Sequence, residues 1–460
     1  MTLIKSIAGI RGTIGGNPSD TLSPLSVVKY AAAFGEILNS KFYKPIVVIG
    51  RDARPSGPLI GALLSNTLNA QGIDVIDTGL STTPTVEMTV IVQKAQGGVV
   101  ITASHNPSGW NALKLLNEKG EFISAAFGAE VLKRADTDEY SFVNSKKIGK
   151  TISSEYTIIN HIDKILSLDL VDVSSIKAKK FKIIVDPVNS TGGIAIPLLL
   201  KKLGVEVVQI NGEPTGIFAH NPEPLPENIR QICKEMENGK FDLGIVVDPD
   251  VDRLVFVNEN GEPFGEEYTL VAVSDYVLSK TPGNTVSNFS STKALKLVTE
   301  KRRGNYYSAS VGEVNVVAKM KEVGAVVGGE GNGGIIYPEL HYGRDALVGI
   351  ALFLSHLAQI DRPSSMLRAQ YPNYFISKNK IELTSENNID AILKTLKEKY
   401  AKHPINTEDG LKIEFNDDWI HLRKSNTEPI IRIFAEAESL VTADHLANKI
   451  ISDIKEIITD

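Results

Sequence analysis

Ile46-Val47-Val48-Ile49 is followed by Gly50-Arg51-Asp52-Ala53-Arg54-Pro55-Ser56-Gly57, and this pairing sets the architecture of the chain. A short β-branched run bounded by a polar Gly/Pro loop predicts a buried strand that turns out of a sheet. A helical stretch to about Ala70 follows, then Gly72 and a second strand near Val75-Ile76. The same order recurs from Lys182-Ile183-Ile184-Val185, with a loop over 186–193, a helix to Leu203, and a strand over 205–208. A weaker third copy starts at Asn284-Thr285-Val286, with helices from Thr292 and over 313–322. This alternation implies parallel strands joined by crossover helices, so the chain reads as α/β with one domain plan used three times. After Tyr371 the pattern changes to a strand at 380–383, a helix at 388–400, turns at Asp409-Gly410 and Asp417-Asp418, and a last helix from Thr442. That section reads as α+β. The expected domains are 1–148, 149–254, 255–370 and 371–460.

Composition supports a multidomain globular chain. Its 460 residues exceed one core, and 42% apolar with 23% charged residues is ordinary for a folded protein. No apolar run reaches membrane-spanning length, so no membrane association is expected. Met1-Thr2-Leu3-Ile4-Lys5 lacks an apolar signal core, and the single Cys233 permits no internal disulfide. Both features predict a cytoplasmic protein. A net charge of −6 argues against nucleic acid as a partner while leaving anionic small substrates open. Oligomeric state is not legible in the composition.

Candidate chemistry lies at strand ends. Val99 to Ile101 reads as a buried strand, broken by Thr102-Ala103-Ser104-His105-Asn106-Pro107. Proline cannot continue the ladder, so the chain turns there and lifts Ser104 out of the sheet. Lys114 follows a polar loop long enough to fold back over the serine, and a hydroxyl beside a cation suits phosphate. Taken alone, the segment reads equally well as a plain Asx or Ser/Thr turn. Arg11, flanked by Gly9 and Gly12, offers a fork of donors where backbone can approach a ligand closely. The segment 211–228 holds Pro214, Pro222, Pro224 and Pro226 with His220 and predicts a stiff excursion or surface connection.

An apolar strand over 241–247 runs into Asp248-Pro249-Asp250-Val251-Asp252-Arg253. Three carboxylates at spacing two repel one another unless a cation sits among them, and hard oxygen ligands suit Mg²⁺. The segment 325–334 carries Gly328-Gly329-Glu330-Gly331-Asn332-Gly333-Gly334, whose glycines predict backbone closely approaching a ligand. Glu330 and Asn332 provide an acceptor and an amide suited to sugar hydroxyls. Arg423-Lys424-Ser425-Asn426-Thr427-Glu428-Pro429-Ile430-Ile431-Arg432 reads as a phosphate clamp or an exposed basic hairpin.

Thr102 to Pro107 with Lys114, Asp248 to Arg253, Gly329 to Gly333 and Arg423 to Pro429 together resemble the four landmarks of the α-D-phosphohexomutases, in order and spacing. The resemblance implies three related α/β domains with mixed sheets plus a C-terminal α+β domain (TBP-like), around a central cleft. It implies a phosphohexomutase interconverting hexose 6- and 1-phosphates through a phosphoserine enzyme and a bisphosphate intermediate. Ser104 resembles the phosphate-carrying serine, and Asp248, Asp250 and Asp252 resemble the ligands of one Mg²⁺, with the phosphoserine completing the shell. Arg11, Lys114 and Arg253 match the active-site cations and His105 the neighbouring histidine. Glu330 and Asn332 fall in the sugar-recognition loop. Arg423, Ser425, Asn426 and Thr427 fall in the loop gripping the unreacting phosphate, with Arg432 nearby. A hexose 1,6-bisphosphate is implied as activator.

Four positions depart from the family's usual pattern: Pro249 replaces a glycine, Ala112 follows Asn111 where glycine is usual, and Asn332 and Gly334 replace Ser and His. The sugar-loop changes bear on which hexose is used. Glucosamine phosphate is the favoured substrate, as in the archaeal-type branch, with mannose or glucose phosphate as the alternative. Two further readings take Asp248-Pro249-Asp250-Val251 as a haloacid-dehalogenase-like nucleophile motif, or the chain as a non-catalytic sugar-phosphate binder.

Overall fold

The computed structural model describes residues 2–6, 9–382, 388–424 and 430–459. Each expected repeat forms one sheet with the same internal order. In the first, Ile46–Arg51 lies between Asp74–Leu80 and Gly97–Ile101, all parallel, and Trp110–Leu116 adds antiparallel beside Gly97–Ile101. Lys182–Asp186, Glu206–Gln209, Leu243–Val247 and Leu254–Val257 repeat this arrangement. So do Asn284–Asn288, Tyr306–Ala309, Ala325–Glu330 and Gly334–Ile336. The three sheets are therefore mixed, and the turn from third to fourth strand is topologically equivalent in all of them.

The expected polar loop after Ser104 is shorter than the sequence implies. Trp110–Leu116 is a strand, and Lys114 stands opposite Val100 in its ladder rather than on a flexible return. Its buried Ala112, Leu113, Leu115 and Leu116 supply the apolar payload that Asn111 and Lys114 mask in the sequence. Two units also run further than expected. The first sheet takes Thr151–Ser153 as an edge strand, and the second closes with Leu254–Val257, so we place the unit edges after Ser153 and Val257.

Helices cover the sheets. Pro24–Lys41 begins where Ser23 caps it, accepting from the Ser26 amide with proline in the first turn. Ala346–Ile360 is apolar nearly all round and buried from Ala346 to Ala358, which suits a helix at the centre of a core. It joins the second and third units: Phe353 stacks on Phe256 at 3.8 Å and meets Phe264 edge-on at 5.3 Å. Asp345 caps this helix and accepts from His161 at 3.0 Å and His341 at 3.3 Å, while Thr85 meets the other His161 nitrogen at 3.0 Å. That buried network ties all three units at one junction.

The last unit is an antiparallel five-stranded sheet in the order Phe375–Glu382, Ile430–Ala437, Trp419–Lys424, Leu411–Glu414, Ile405–Asn406. Helices Ile389–Lys399 and Leu440–Thr459 pack on it around Leu396, Ile420, Ile433 and Ile450. This is the expected α+β arrangement. Among the described residues no helix is long and apolar enough to cross a membrane.

Candidate active site

The equivalent third-to-fourth-strand turns carry Ser104, the aspartate trio and the glycine-rich loop. Ser104 sits in left-handed backbone (φ 49°), and its Oγ donates to Asp248 Oδ2 at 2.7 Å across 144 residues of sequence. His105 Nδ1 lies 3.4 Å from the same Oγ. Partial burial, then the charges of Arg253 and Lys114, push His105 well below its ordinary pKa, so it is neutral at pH 7.

Asp248, Asp250 and Asp252 are fully buried and each bring a carboxylate oxygen within 4.8 Å of the others. Burial, reinforced by Asp252 and Asp250, raises Asp248 well above the usual carboxylate range. Burial would raise Asp250 too, but the Lys114 ammonium, 2.8 Å away, outweighs it and holds Asp250 well below that range. Lys114 also lies 3.6 Å from Asp252, and Thr83 donates to Asp250 at 2.5 Å. Asp250 Oδ1 and Asp252 Oδ1 are buried without a hydrogen-bond partner. Orphaned carboxylate oxygens packed this closely fit a hard divalent cation, which would supply the missing ligand bonds. Pro249 leaves the trio intact, its carbonyl accepting from Ser190 and Thr191 at 2.7 and 2.9 Å.

Arg253 donates to Glu223 at 2.9 Å, and Arg11 lies half-buried on strand Gly9–Thr13, close enough for its charge to act on His105. Glu330 Oε1 accepts from Asn288 and the Gly312 amide, and its Oε2 accepts from Arg344 at 3.0 Å. Asn332 turns its Oδ1 onto the Gly334 amide at 3.2 Å. The glycine-rich segment packs closely against neighbouring protein. A Cβ on Gly333, whose φ is +84°, would lie 2.1 Å from the Leu254 carbonyl, so the glycine-rich loop seats directly on the unit that carries the aspartate trio.

Arg423 and Arg432 face each other across adjacent strands, and Arg423 lies 3.7 Å from Asp409. Burial lowers the pKa of Arg423, with Asp409 opposing the shift and Arg432 adding to it. Ser425, Asn426 and Thr427 lie outside the described residues.

Sequence reasoning passed over three residues. Arg54, fully buried, spends all five of its donors: Nε on Asp52 at 2.9 Å and the rest on the carbonyls of Ser104, Asn106, Pro107 and Trp110 at 2.5–2.9 Å. Asp52 in turn accepts from Thr102 at 2.7 Å. Buried arginine in a polar loop is the only sequence signal, and it needs the fold to be read. Glu223 and Phe218 belong to the proline-rich segment, which is no mere surface connection. Phe218 covers the Arg54 guanidinium at 5.0 Å, and His220 meets Asp186 at 3.0 Å.

Comparison with known proteins agrees with this geometry. The chain matches all four family models of phosphoglucomutase/phosphomannomutase: α/β/α domain I over residues 4–141, domain II over 159–261, domain III over 265–374, and the C-terminal domain over 380–452. It is 34% identical to the phosphoglucomutase/phosphomannomutase of Thermococcus kodakarensis, covering 93% of this chain and 94% of that one. It is 31% identical to the phosphoglucosamine/phosphogalactosamine mutase of Sulfurisphaera tokodaii, covering 98% of each. The crystal structure of a phosphoglucomutase/phosphomannomutase family protein from Burkholderia thailandensis superposes with a TM-score of 0.83 at 26% identity, covering 99% of this chain and 97% of that one. The chain belongs to the phosphoglucomutase/phosphomannomutase family. It is a phosphohexomutase, an isomerase acting by intramolecular phosphoryl transfer. The dehalogenase-like and non-catalytic readings are thereby set aside.

Proposed function

We propose that this enzyme interconverts glucosamine 6-phosphate and glucosamine 1-phosphate through phosphoserine at Ser104. The observation that carries the reading is the 2.7 Å contact between Ser104 Oγ and Asp248, which sets this strand-end hydroxyl against the aspartate trio and Lys114. In the first half-reaction the bond from phosphorus to Ser104 Oγ breaks and one forms to the free sugar hydroxyl. The hydroxyl loses its proton and Ser104 regains one, giving the 1,6-bisphosphate. The bisphosphate turns end for end, and its other phosphate returns to Ser104. A divalent cation, Mg²⁺ by donor chemistry, would be held by Asp248, Asp250, Asp252 and the phosphoserine, and would neutralise charge on the transferring oxygens.

The chain's own residues do the rest. Lys114 and Arg253 meet the spreading negative charge of the phosphoryl group, and Arg11 adds to that field. Asp248 orients the Ser104 hydroxyl, while neutral His105 stays within reach of the same oxygen. Glu330 and Asn332 address sugar hydroxyls, and Arg423 with Arg432, Ser425, Asn426 and Thr427 hold the phosphate that is not reacting. A clamp on a separate unit lets either end of the sugar be gripped in turn. A relative named for phosphoglucosamine supports glucosamine, and one named for glucose and mannose phosphates keeps those as the second substrate reading.

Ser104→Ala is the test. With Mg²⁺ and glucose 1,6-bisphosphate as activator, we expect the variant to lose turnover by at least about 10³-fold and to retain no phosphate label. Undiminished turnover would reject the phosphoserine. Side-by-side rates on the glucosamine, mannose and glucose 6-phosphates decide the sugar.

A further inference from the structure

Arg344 lies between strand Gly334–Ile336 and helix Ala346–Ile360, bridged through its backbone to Ile336. Its three nitrogens each meet a different carboxylate. NH2 donates to Asp252 at 2.6 Å, NH1 to Glu330 at 3.0 Å and Nε to Glu313 at 2.9 Å. One guanidinium therefore spans a metal-loop acid from the second unit and two acids of the third. Lysine, whose charge sits at one point, cannot span three separated carboxylates as this planar fork does.

Space for this side chain comes from Gly334. A Cβ there would lie 2.3 Å from Arg344 Cδ, so a histidine at that position and Arg344 in this place are mutually exclusive. The glycine that departs from the usual family pattern is thus what admits the arginine.

We propose that Arg344 is a positioning residue that couples the metal loop to the sugar loop, its charge moderating cation affinity and its fork holding Glu330. The sugar half rests on the mutase reading above; the metal half does not. Arg344 occupies Asp252 Oδ2 and leaves Oδ1 unpaired, so a bound cation would share this carboxylate with a fixed positive charge. That charge weakens cation binding by direct repulsion. At Glu330 the other oxygen is held by Asn288 and the Gly312 amide, and Arg344 completes the set that fixes the carboxylate toward the sugar.

The two halves separate experimentally. Manganese affinity, read from the electron paramagnetic resonance of free Mn²⁺ without substrate, should tighten about three- to tenfold in Arg344→Gln, which removes the charge. In Arg344→Lys, which keeps it, affinity stays near wild type. The KM for the hexose 6-phosphate used should rise about tenfold in both, because neither side chain spans the acids. Gly334→Ala displaces the same guanidinium, raises KM likewise, and adds little on top of Arg344→Lys. A general folding defect would instead weaken Mn²⁺ and lower thermal stability in every variant. Mn²⁺ affinity that fails to tighten in Arg344→Gln, or a KM unmoved across the variants, overturns the proposal. A wild-type enzyme inactive on all three hexose 6-phosphates overturns the mutase reading, while the Mn²⁺ titration still decides the metal half.

Discussion

Ser104 and Val251 both adopt left-handed backbone, at φ 49° and 64°, in the turns that carry Ser104 and the aspartates. For a β-branched residue this region costs on the order of 1–3 kcal/mol, and it persists only where surroundings enforce it. Around Ser104 the enforcement is visible, since Arg54 draws four carbonyls of its loop onto one planar cation. Arg54→Lys keeps the charge and loses the fork. We expect it to cost about 2–4 kcal/mol of stability and to lower kcat about 10–100-fold, checked by urea titration and steady-state kinetics. The serine was legible in the sequence because proline ends its strand. The arginine was not, because its five partners are mostly backbone carbonyls, which every sequence contains.

Among elements, the third-to-fourth-strand turn does the same work three times. It carries Ser104 in the first unit, Asp248, Asp250 and Asp252 in the second and Glu330 in the third. Most parallel strands of the first two units were legible as apolar runs, whereas Tyr306–Ala309 in the third was not. The antiparallel fourth strands were not, since Trp110–Leu116 carries Asn111 and Lys114 and Gly334–Ile336 is three residues long. The apolar helix Ala346–Ile360 was legible outright, yet its partners were not. Phe353→Ala should open a cavity against Phe256 and Phe264 and destabilise the chain by about 3–5 kcal/mol, read as a fall in urea midpoint. Because one core spans the second and third units, both should unfold together in that experiment.

Across the whole molecule, charges from three units meet in one place. Glu313 shows the consequence: burial, with Asp252 adding to it and Arg344 opposing, pushes its carboxyl up to about 7 from the usual 4.5. The folded state keeps that proton to higher pH than the unfolded chain does. Stability present below pH 4.5 is therefore lost as pH rises to about 7, by about 1–3 kcal/mol. Glu313→Gln should abolish this share of the decline, seen by comparing urea midpoints of the two proteins at pH 5 and pH 8. By itself the sequence determined the repeated strand–helix order, the change of plan after Tyr371 and the residue types at each strand end, because periodicity, proline and charge spacing act locally. Only the tertiary structure decided that Ser104 faces Asp248, that Glu223 pairs with Arg253, and that Gly334 makes room for Arg344. Those facts depend on distances between units far apart in the chain, and no local pattern encodes them.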